Sequence, residues 1–578
     1  MAYVRENHWK LTHLLNYNQT FYKHDIGMLL GFEEERFVKR TTDTAKLGLI
    51  DSSVGDSSSA TTPSSIGGTG EEFTSRSYFG RINYAFDSRY LFEVNMRYDG
   101  SSRFAPDNRW GLFPSFSAGW RISEERFMKG LPIDNLKLRA SWGKLGNNAI
   151  GNYEWQAVYN SAKYAFGGSL NNGLAITSIS NNLLEWESTA ITNIGIDFAT
   201  LRNRLTFEAE FYNKVTDGIL YRPDMYMSLG TASGPRQNIA EVTNRGIEMT
   251  LNWQDRIGKV EYRVSGNFAY NQNKVSKYKG ELQRGWVTDE NGNRVYQTNI
   301  GDVSTGGSTR VIEGKMINEY YMLQPYKGSG NGFNADGTVN INGGPRDGMI
   351  RTVDDMKWLN AMVGAGYKFY PRQNVSKSGI WYGDYIYADL NGDGVYGNDA
   401  DNEFQGCSNV PKYNFGLQAS ANWKGFDFSM NWSGAAGFKI YYYRLALNSS
   451  ATIKGYAIGE AIANDHYFFD PKNPNDPRTN LSSKNPRLTN NSGNDQSGMT
   501  QSSVHLQKGD YIKLKNLTIG YTLPAVLSKK VYAQNIRFFA SGENLFTITG
   551  YEGMDPEMRT AVGYSTMRQY AFGVNITF

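Results

Sequence analysis

Side chains of a β-strand point alternately to its two faces, so a wall with one oily and one wet face must alternate residue by residue. Long stretches of this chain obey that rule. From Tyr90 to Asp99 one face carries Tyr90, Phe92, Val94, Met96 and Tyr98, and the other carries Leu91, Glu93, Asn95, Arg97 and Asp99. The preceding segment sets Tyr78, Ile82, Tyr84 and Phe86 against Arg81 and Asn83, and the polar link Asp87-Ser88 makes the two a hairpin. Tyr413 to Trp423 and Phe426 to Trp432 repeat the pattern around Lys424-Gly425, and the chain ends on Tyr570, Phe572, Val574, Ile576 and Phe578 along one face.

A soluble sandwich alternates too, but two features favour a wall in lipid. Aromatic residues, 14% of the chain, cluster near segment ends at Tyr90, Tyr98, Trp142, Trp253, Trp423, Phe426 and Phe578, where interfacial girdles sit. Connections also alternate short and long. Strands are predicted at 9–18, 24–34, 74–86, 89–99, 111–121, 135–145, 189–200, 204–216, 242–254, 259–272, 411–423, 426–436, 505–523, 534–546 and 566–578. Links after odd-numbered strands are short and those after even-numbered strands longer, the rhythm of periplasmic turns and extracellular loops.

The expected fold is therefore all-β, a transmembrane antiparallel β-barrel with about fifteen strands and large extracellular loops. Such single-chain barrels close on an even strand number, so an odd number of strands is expected upstream. Residues 1–578 then form the C-terminal part of the barrel. Met1 is followed by Ala-Tyr-Val-Arg-Glu-Asn-His-Trp, without the basic start and apolar core of a secretory signal, so either the chain is cytosolic or it begins partway into a longer protein whose export signal lies upstream, and the barrel reading favours the second. Residues 51–70, rich in Ser, Thr and Gly, read as a flexible loop. The segments 273–410 and 437–503 are too large for ordinary connections and call for structure of their own. Met316 to Tyr326 is a candidate extra strand, which parity requires to be extracellular or partnered.

Other classes find little support. Lys plus Arg number 60 against 56 Asp plus Glu, interspersed, which argues against nucleic acid as a partner. One cysteine, Cys407, excludes a disulfide framework and a CxxC knuckle. The five histidines, His8, His13, His24, His466 and His505, lack HExxH spacing, and Glu33-Glu34-Glu35 reads as a solvated strand rim rather than an acid and base pair. No catalytic set emerges, and no cofactor is required.

Asp389-Leu390-Asn391-Gly392-Asp393-Gly394 begins like a calcium loop, in which oxygens at alternate positions surround a hard cation and glycine permits the turn. Asp389, Asn391, Asp393, the Val395 carbonyl and Asp399 are the candidate ligands, although the twelfth position is Ala400 rather than Glu. The alternative is a hydrogen-bonded extracellular turn. Loop aromatics, among them Tyr320, Tyr321, Tyr326, Trp358, Tyr367, Trp381, Tyr382, Tyr385 and Tyr441-Tyr442-Tyr443, fit either a substrate vestibule or ordinary loop cores.

Ordered strings carry a family resemblance. Tyr78-Phe79-Gly80-Arg81-Ile82-Asn83-Tyr84, Arg97-Tyr98-Asp99-Gly100-Ser101-Ser102-Arg103-Phe104, Trp110-Gly111-Leu112-Phe113-Pro114-Ser115 and Leu136-Lys137-Leu138-Arg139-Ala140-Ser141-Trp142-Gly143 come first. Asn244-Arg245-Gly246-Ile247-Glu248, Leu514-Lys515-Asn516-Leu517-Thr518-Ile519-Gly520-Tyr521, Ser541-Gly542-Glu543-Asn544-Leu545-Phe546 and Met554-Asp555-Pro556-Glu557 follow. Together they resemble SusC/RagA-type TonB-dependent outer-membrane transporters. That resemblance implies a 22-stranded barrel, seven of whose strands lie upstream with the plug, the TonB box and a carboxypeptidase-like domain, all absent here. It also implies the outer membrane and its lipid as setting, a SusD-like lipoprotein and the TonB complex as partners, and import of oligosaccharides or peptides. A passive porin or surface adhesin is the first alternative and a soluble all-β enzyme the second.

Overall fold

The computed structural model describes residues 2–50, 59–221, 235–278, 285–288, 294–297, 309–310, 313–370, 374–442, 460–488, 502–559, 564 and 566–578. Fifteen strands form one sheet whose order follows the chain: 2–21, 24–49, 60–86, 90–101, 110–121, 133–147, 187–200, 205–221, 237–257, 260–278, 413–423, 426–436, 511–522, 535–549 and 569–577. Every pair of this sheet with a described register is antiparallel. All fifteen segments read from alternation are present. Among the described residues no helix is long and apolar enough to cross a membrane, which says nothing of strands.

Turn chemistry sets the short links. Lys424 and Gly425 both have positive φ, 46° and 91°, as a two-residue hairpin of matching twist requires. Every connection after an even-numbered strand is longer than the tight hairpins, and the two largest, the loops 279–412 and 437–510, leave the sheet at the same end.

The chain forms two compact parts, 1–247 with 275–280, and 248–274 with 281–578. In the first, strand register assembles apolar rows. Ile82 lies opposite Val94, Val94 opposite Phe116, and Phe116 opposite Trp142. Tyr90 and Tyr98 end one apolar face and lie about 26 Å apart along the strand at the usual rise, which at the roughly 35–45° tilt of such walls spans about 20 Å of depth, within the ~25 Å oily band. Both ends carry ring contacts: Tyr98 stacks on Trp110 at 4.8 Å and Phe86 on Tyr90 at 6.4 Å. In the second part Trp423, Phe426, Tyr521, Phe538 and Val574 continue from strand to strand in the same way.

These rows are not a core. Phe92, Met96 and Tyr98 are 50%, 48% and 44% exposed, whereas Glu93, Asn95, Arg97 and Asp99 on the opposite face are half-buried. Exposed grease behind a covered polar face inverts the soluble pattern and suits a hydrocarbon solvent. The dry two-layer interior of a sandwich is not what these rows form.

Buried apolar side chains gather instead in the loops. The largest cluster joins Tyr326, Met349, Trp358, Met362, Phe369, Tyr387 and Tyr467 within the second part. One helix, Val353–Gly364, enters it, capped by Thr352, whose hydroxyl accepts from Asp355 N at 3.1 Å while the Asp355 carboxylate accepts from Thr352 N at 2.9 Å.

Three expectations change. The Ser, Thr and Gly-rich stretch is not all loop: the strand Ala60–Phe86 includes residues 60–70, paired with His24–Leu49, and only 51–58 lie outside the described residues. Backbone hydrogen bonds between two long strands hold there without a buried apolar face, since residues 61–70 are exposed on both sides of the strand. The segment 505–523 splits at Gly509-Asp510, because Leu506–Lys508 pairs with Lys439–Tyr441 outside the main sheet while Tyr511–Thr522 joins it. A separate hairpin, Val158–Phe166 with Ser169–Ser178, was not anticipated.

Candidate functional site

The polar face of the wall is built by register. In the first part Asn83 lies opposite Glu93, Glu93 opposite Ser117, Ser117 opposite Ser141, and Ser141 opposite Asn193. One step along, Arg139 is gripped by two acids: its Nε donates to Asp197 Oδ1 at 3.0 Å and its Nη1 to Glu210 Oε2. Space for that guanidinium comes from Gly195, where a Cβ would stand 2.6 Å from Arg139 Cζ. The hollow along this row measures about 620 Å³ and is lined by Asn18, Asp25, Asn83, Glu93, Lys137 and Arg139 among others. Such a face solvates hydroxyls, amides and charges, and would be untenable against acyl chains.

Glu33 and Glu34 are held in ion pairs and Glu35 in a hydrogen bond, each with a separate partner. Glu33 takes Lys10 at 2.9 Å, Glu34 takes Arg76 at 3.1 Å, and Glu35 meets His8 at 2.7 Å. His13 sits in the strand Ala2–Phe21 and stacks on Phe32, a wall position. Cys407 is half-buried in Glu403–Ser408, and burial pushes its thiol up.

In the second part the loop aromatics resolve into a core. Tyr326 donates its hydroxyl to Ile341 O at 2.8 Å and Gly343 O at 2.9 Å, and Trp358 donates Nε1 to Asn340 O at 2.8 Å. Tyr385 and Tyr467 do the same to Lys484 O and Arg351 O, at 2.8 and 2.5 Å. Burial raises the phenols of Tyr385 and Tyr396 to about 12. Met316 to Tyr326 yields the strand Glu319–Met322, which comes with partners, Thr309–Arg310 and Glu403–Ser408, in a three-stranded sheet of its own. Tyr443 lies outside the described residues.

The candidate calcium loop is one compact turn. Asp389 Oδ1 accepts from Gly392 N at 2.7 Å and Oδ2 from Gly394 N at 2.9 Å. Asn391 Oδ1 accepts from Asp393 N at 3.0 Å, and Asp393 Oδ1 from Val395 N at 2.8 Å. Asp399 opens the short helix Asp399–Asp401. The residue missed from sequence is Asp401, wholly buried, whose Oδ1 accepts from Leu390 N at 2.7 Å and Oδ2 from Gly397 N at 2.8 Å. Desolvation raises its carboxyl to about 6 against the pull of those amides. Asp401 ties the two ends of the loop together, and only its position one residue past the motif hinted at it. Among the described residues no three His, Cys, Asp or Glu side chains converge as a metal cluster.

Comparison with known proteins decides what kind of wall this is. The family described as TonB dependent receptor-like, beta-barrel matches residues 3–545. This chain belongs to that family. It is an outer-membrane transmembrane β-barrel wall, and the family is one of transporters rather than enzymes. TonB-dependent receptor P39 of Formosa agariphila is 30% identical over 601 residues, covering 97% of this chain and 52% of that protein. The TonB-dependent receptor SusC of Bacteroides thetaiotaomicron is 28% identical over 517 residues, covering 87% of this chain and 43% of SusC, so the SusC/RagA-type resemblance holds. The solved RagAB peptide transporter shares the fold, with a TM-score of 0.74 at 21% identity over 100% of this chain and 56% of that one. The chain spans about half the length of the curated relatives it matches.

Proposed function

We propose that this chain is part of a TonB-dependent importer that takes up oligosaccharides or peptides across the outer membrane together with a SusD-like lipoprotein. The observation that carries the reading is the polar face centred on Glu93, Arg139 and Asn193, set behind exposed apolar rows in a member of the TonB-dependent receptor-like family. A lumen so lined accepts hydrated, hydrogen-bonding cargo. Similarity to SusC supports the lipoprotein partner and saccharide cargo, and the likeness to a peptide transporter keeps peptides in view.

The test is uptake by cells carrying the whole gene. Uptake of an oligosaccharide or peptide pool should stop when the gene or TonB is deleted, and a SusD-like lipoprotein should co-purify with the tagged protein. Uptake that persists without TonB would replace the importer with a passive pore.

Calcium at residues 389–401 is a separate proposal. It rests on the alternate spacing of Asp389, Asn391 and Asp393 and on the single turn that holds them. Calorimetric titration of chelator-treated protein should release or absorb heat with calcium, and Asp389→Ala should abolish it. A flat titration of the unaltered protein removes the proposal.

A further inference from the structure

The loops of the second part enclose a cleft of about 730 Å³ that the wall does not contribute to, walled by Trp381, Tyr382, Phe468, Phe469, Arg478 and Asn480 among others. Its volume falls in the usual range for small-molecule sites, roughly 300–1,000 Å³. The rings form a chain: Trp381 meets Tyr382 edge-on at 5.3 Å, and Tyr382 meets Phe469 edge-on at 5.1 Å. Tyr382 is buried, whereas Trp381, Phe468 and Phe469 are half-buried and keep surface for a ligand.

The cleft is held from behind. Phe468 and Asn480 exchange both backbone hydrogen bonds, at 3.2 and 2.9 Å, which closes the segment between them into a loop. Tyr467 next to it is anchored to Arg351 O. A site fixed by its own scaffold loses little freedom on binding.

Charge narrows the occupant. Arg478 gives Nε and Nη2 to Asp476, at 2.9 and 2.8 Å, while lying over the Phe468 ring at 4.6 Å. Arg487 gives the same two nitrogens to Asp384. Both guanidiniums are already neutralised by carboxylates, so an acidic ligand would have to break a bidentate pair. An extended peptide would look for a free strand edge, yet Phe468 and Asn480 have spent their backbone groups on each other. Asn480 is engaged, its Nδ2 donating to Asp465 Oδ1 and its Oδ1 accepting from Ser482 Oγ, so what remains is aromatic surface beside the Asn464 amide and the polar side chains of Lys377, His466 and Asp470. A pyranose suits that combination, because its C–H face is apolar and its hydroxyl edge hydrogen-bonds.

We propose that this cleft is a capture site for a neutral oligosaccharide, outside the membrane and separate from the polar face of the wall. The proposal rests on the importer reading, since it assigns the saccharide branch of its cargo. Both loops leave the even-strand ends of the sheet, the extracellular side by the long-loop rule.

The purified full chain in detergent is titrated, by tryptophan fluorescence and saturation-transfer NMR, with neutral oligosaccharides (maltoheptaose, cellohexaose, xylohexaose, laminarihexaose, mannohexaose), with alginate hexamers, and with an uncharged capped hexapeptide. At least one neutral saccharide should bind. Trp381→Ala with Phe469→Ala should weaken it roughly ten-fold or more, as loss of stacked rings predicts. Trp381→Phe should restore most of the affinity, and Arg478→Ala should change it less than about three-fold. The proposal is overturned if no neutral saccharide binds, if binding survives the double variant, or if only the alginate or the peptide binds through these residues. TonB-dependent uptake with no saccharide bound sinks the cleft alone, while saccharide bound here with uptake independent of TonB sinks the importer alone.

Discussion

Arg487 holds Asp384 with two parallel hydrogen bonds, Nε to Oδ1 at 2.8 Å and Nη2 to Oδ2 at 2.9 Å, across 103 residues of sequence. Asp384 is 1% exposed and also accepts from Trp381 N at 2.8 Å. The pair joins the loop 279–412 to the loop 437–510, and the Arg487 amide adds a bond to Gly383 O at 3.1 Å. Arg487→Ala would strand a buried carboxylate, and the loop structure should lose about 3–5 kcal/mol. Hydrogen exchange across residues 380–387 and 465–488 should rise together. Unchanged protection in both segments would show the pair to be dispensable.

Lys513 is a second buried ion, 2% exposed, bound to Asp555 at 2.7 Å and Glu557 at 2.9 Å. It pins the segment 550–559 to the strand Tyr511–Thr522. Lys513→Met should cost about 3–5 kcal/mol by leaving acids without their partner, and adding Asp555→Asn should recover part of that. Limited proteolysis of residues 550–568 is the readout, with cleavage expected in the single variant first.

His505 reports pH. Burial alone lowers its imidazole from 6.5 to about 4, and its ring lies edge-on to Tyr441 at 5.9 Å. A depressed folded value means that the unfolded state binds the proton first. The stabilisation is therefore complete above pH 6.5 and is lost as pH falls toward 4, by up to about 3 kcal/mol. Protection factors in the strands Lys439–Tyr441 and Leu506–Lys508, taken against intrinsic exchange at each pH, should fall between pH 7 and 5, and His505→Phe should flatten that dependence.

Val94 lies midway between Tyr90 and Tyr98 on the lipid face, and Asn95 beside it faces the polar side. Val94→Arg should destabilise the folded wall by about 2–4 kcal/mol, the expense of a cation at the bilayer midplane. Asn95→Arg should be nearly neutral. Urea unfolding in lipid vesicles distinguishes them, and equal effects would contradict the two-faced wall.

Alternation determined the strands because side-chain direction in a strand is a local property with period two: Tyr90 to Asp99 declares both faces whatever pairs with it. The short links followed from local backbone preference, as at Lys424-Gly425. The same argument failed where the backbone ladder alone sufficed, in residues 60–70, since exposed polar strands leave no alternation to read. It also failed at Val158–Phe166 and Ser169–Ser178, a hairpin with no oily wall to mark it.

The loop structure was decided by the tertiary fold. Trp358, Tyr387 and Tyr467 meet only after long loops close, and nothing local distinguishes a ring bound for that core from Trp381 or Phe469 at the cleft. The calcium-like spacing of Asp389, Asn391 and Asp393 was legible, but the buried Asp401 that locks their turn was not, because its partners are backbone amides brought round by the turn itself. Chain order therefore determined which face meets lipid, while long-range closure determined which loop side chains are scaffold and which remain open to a ligand.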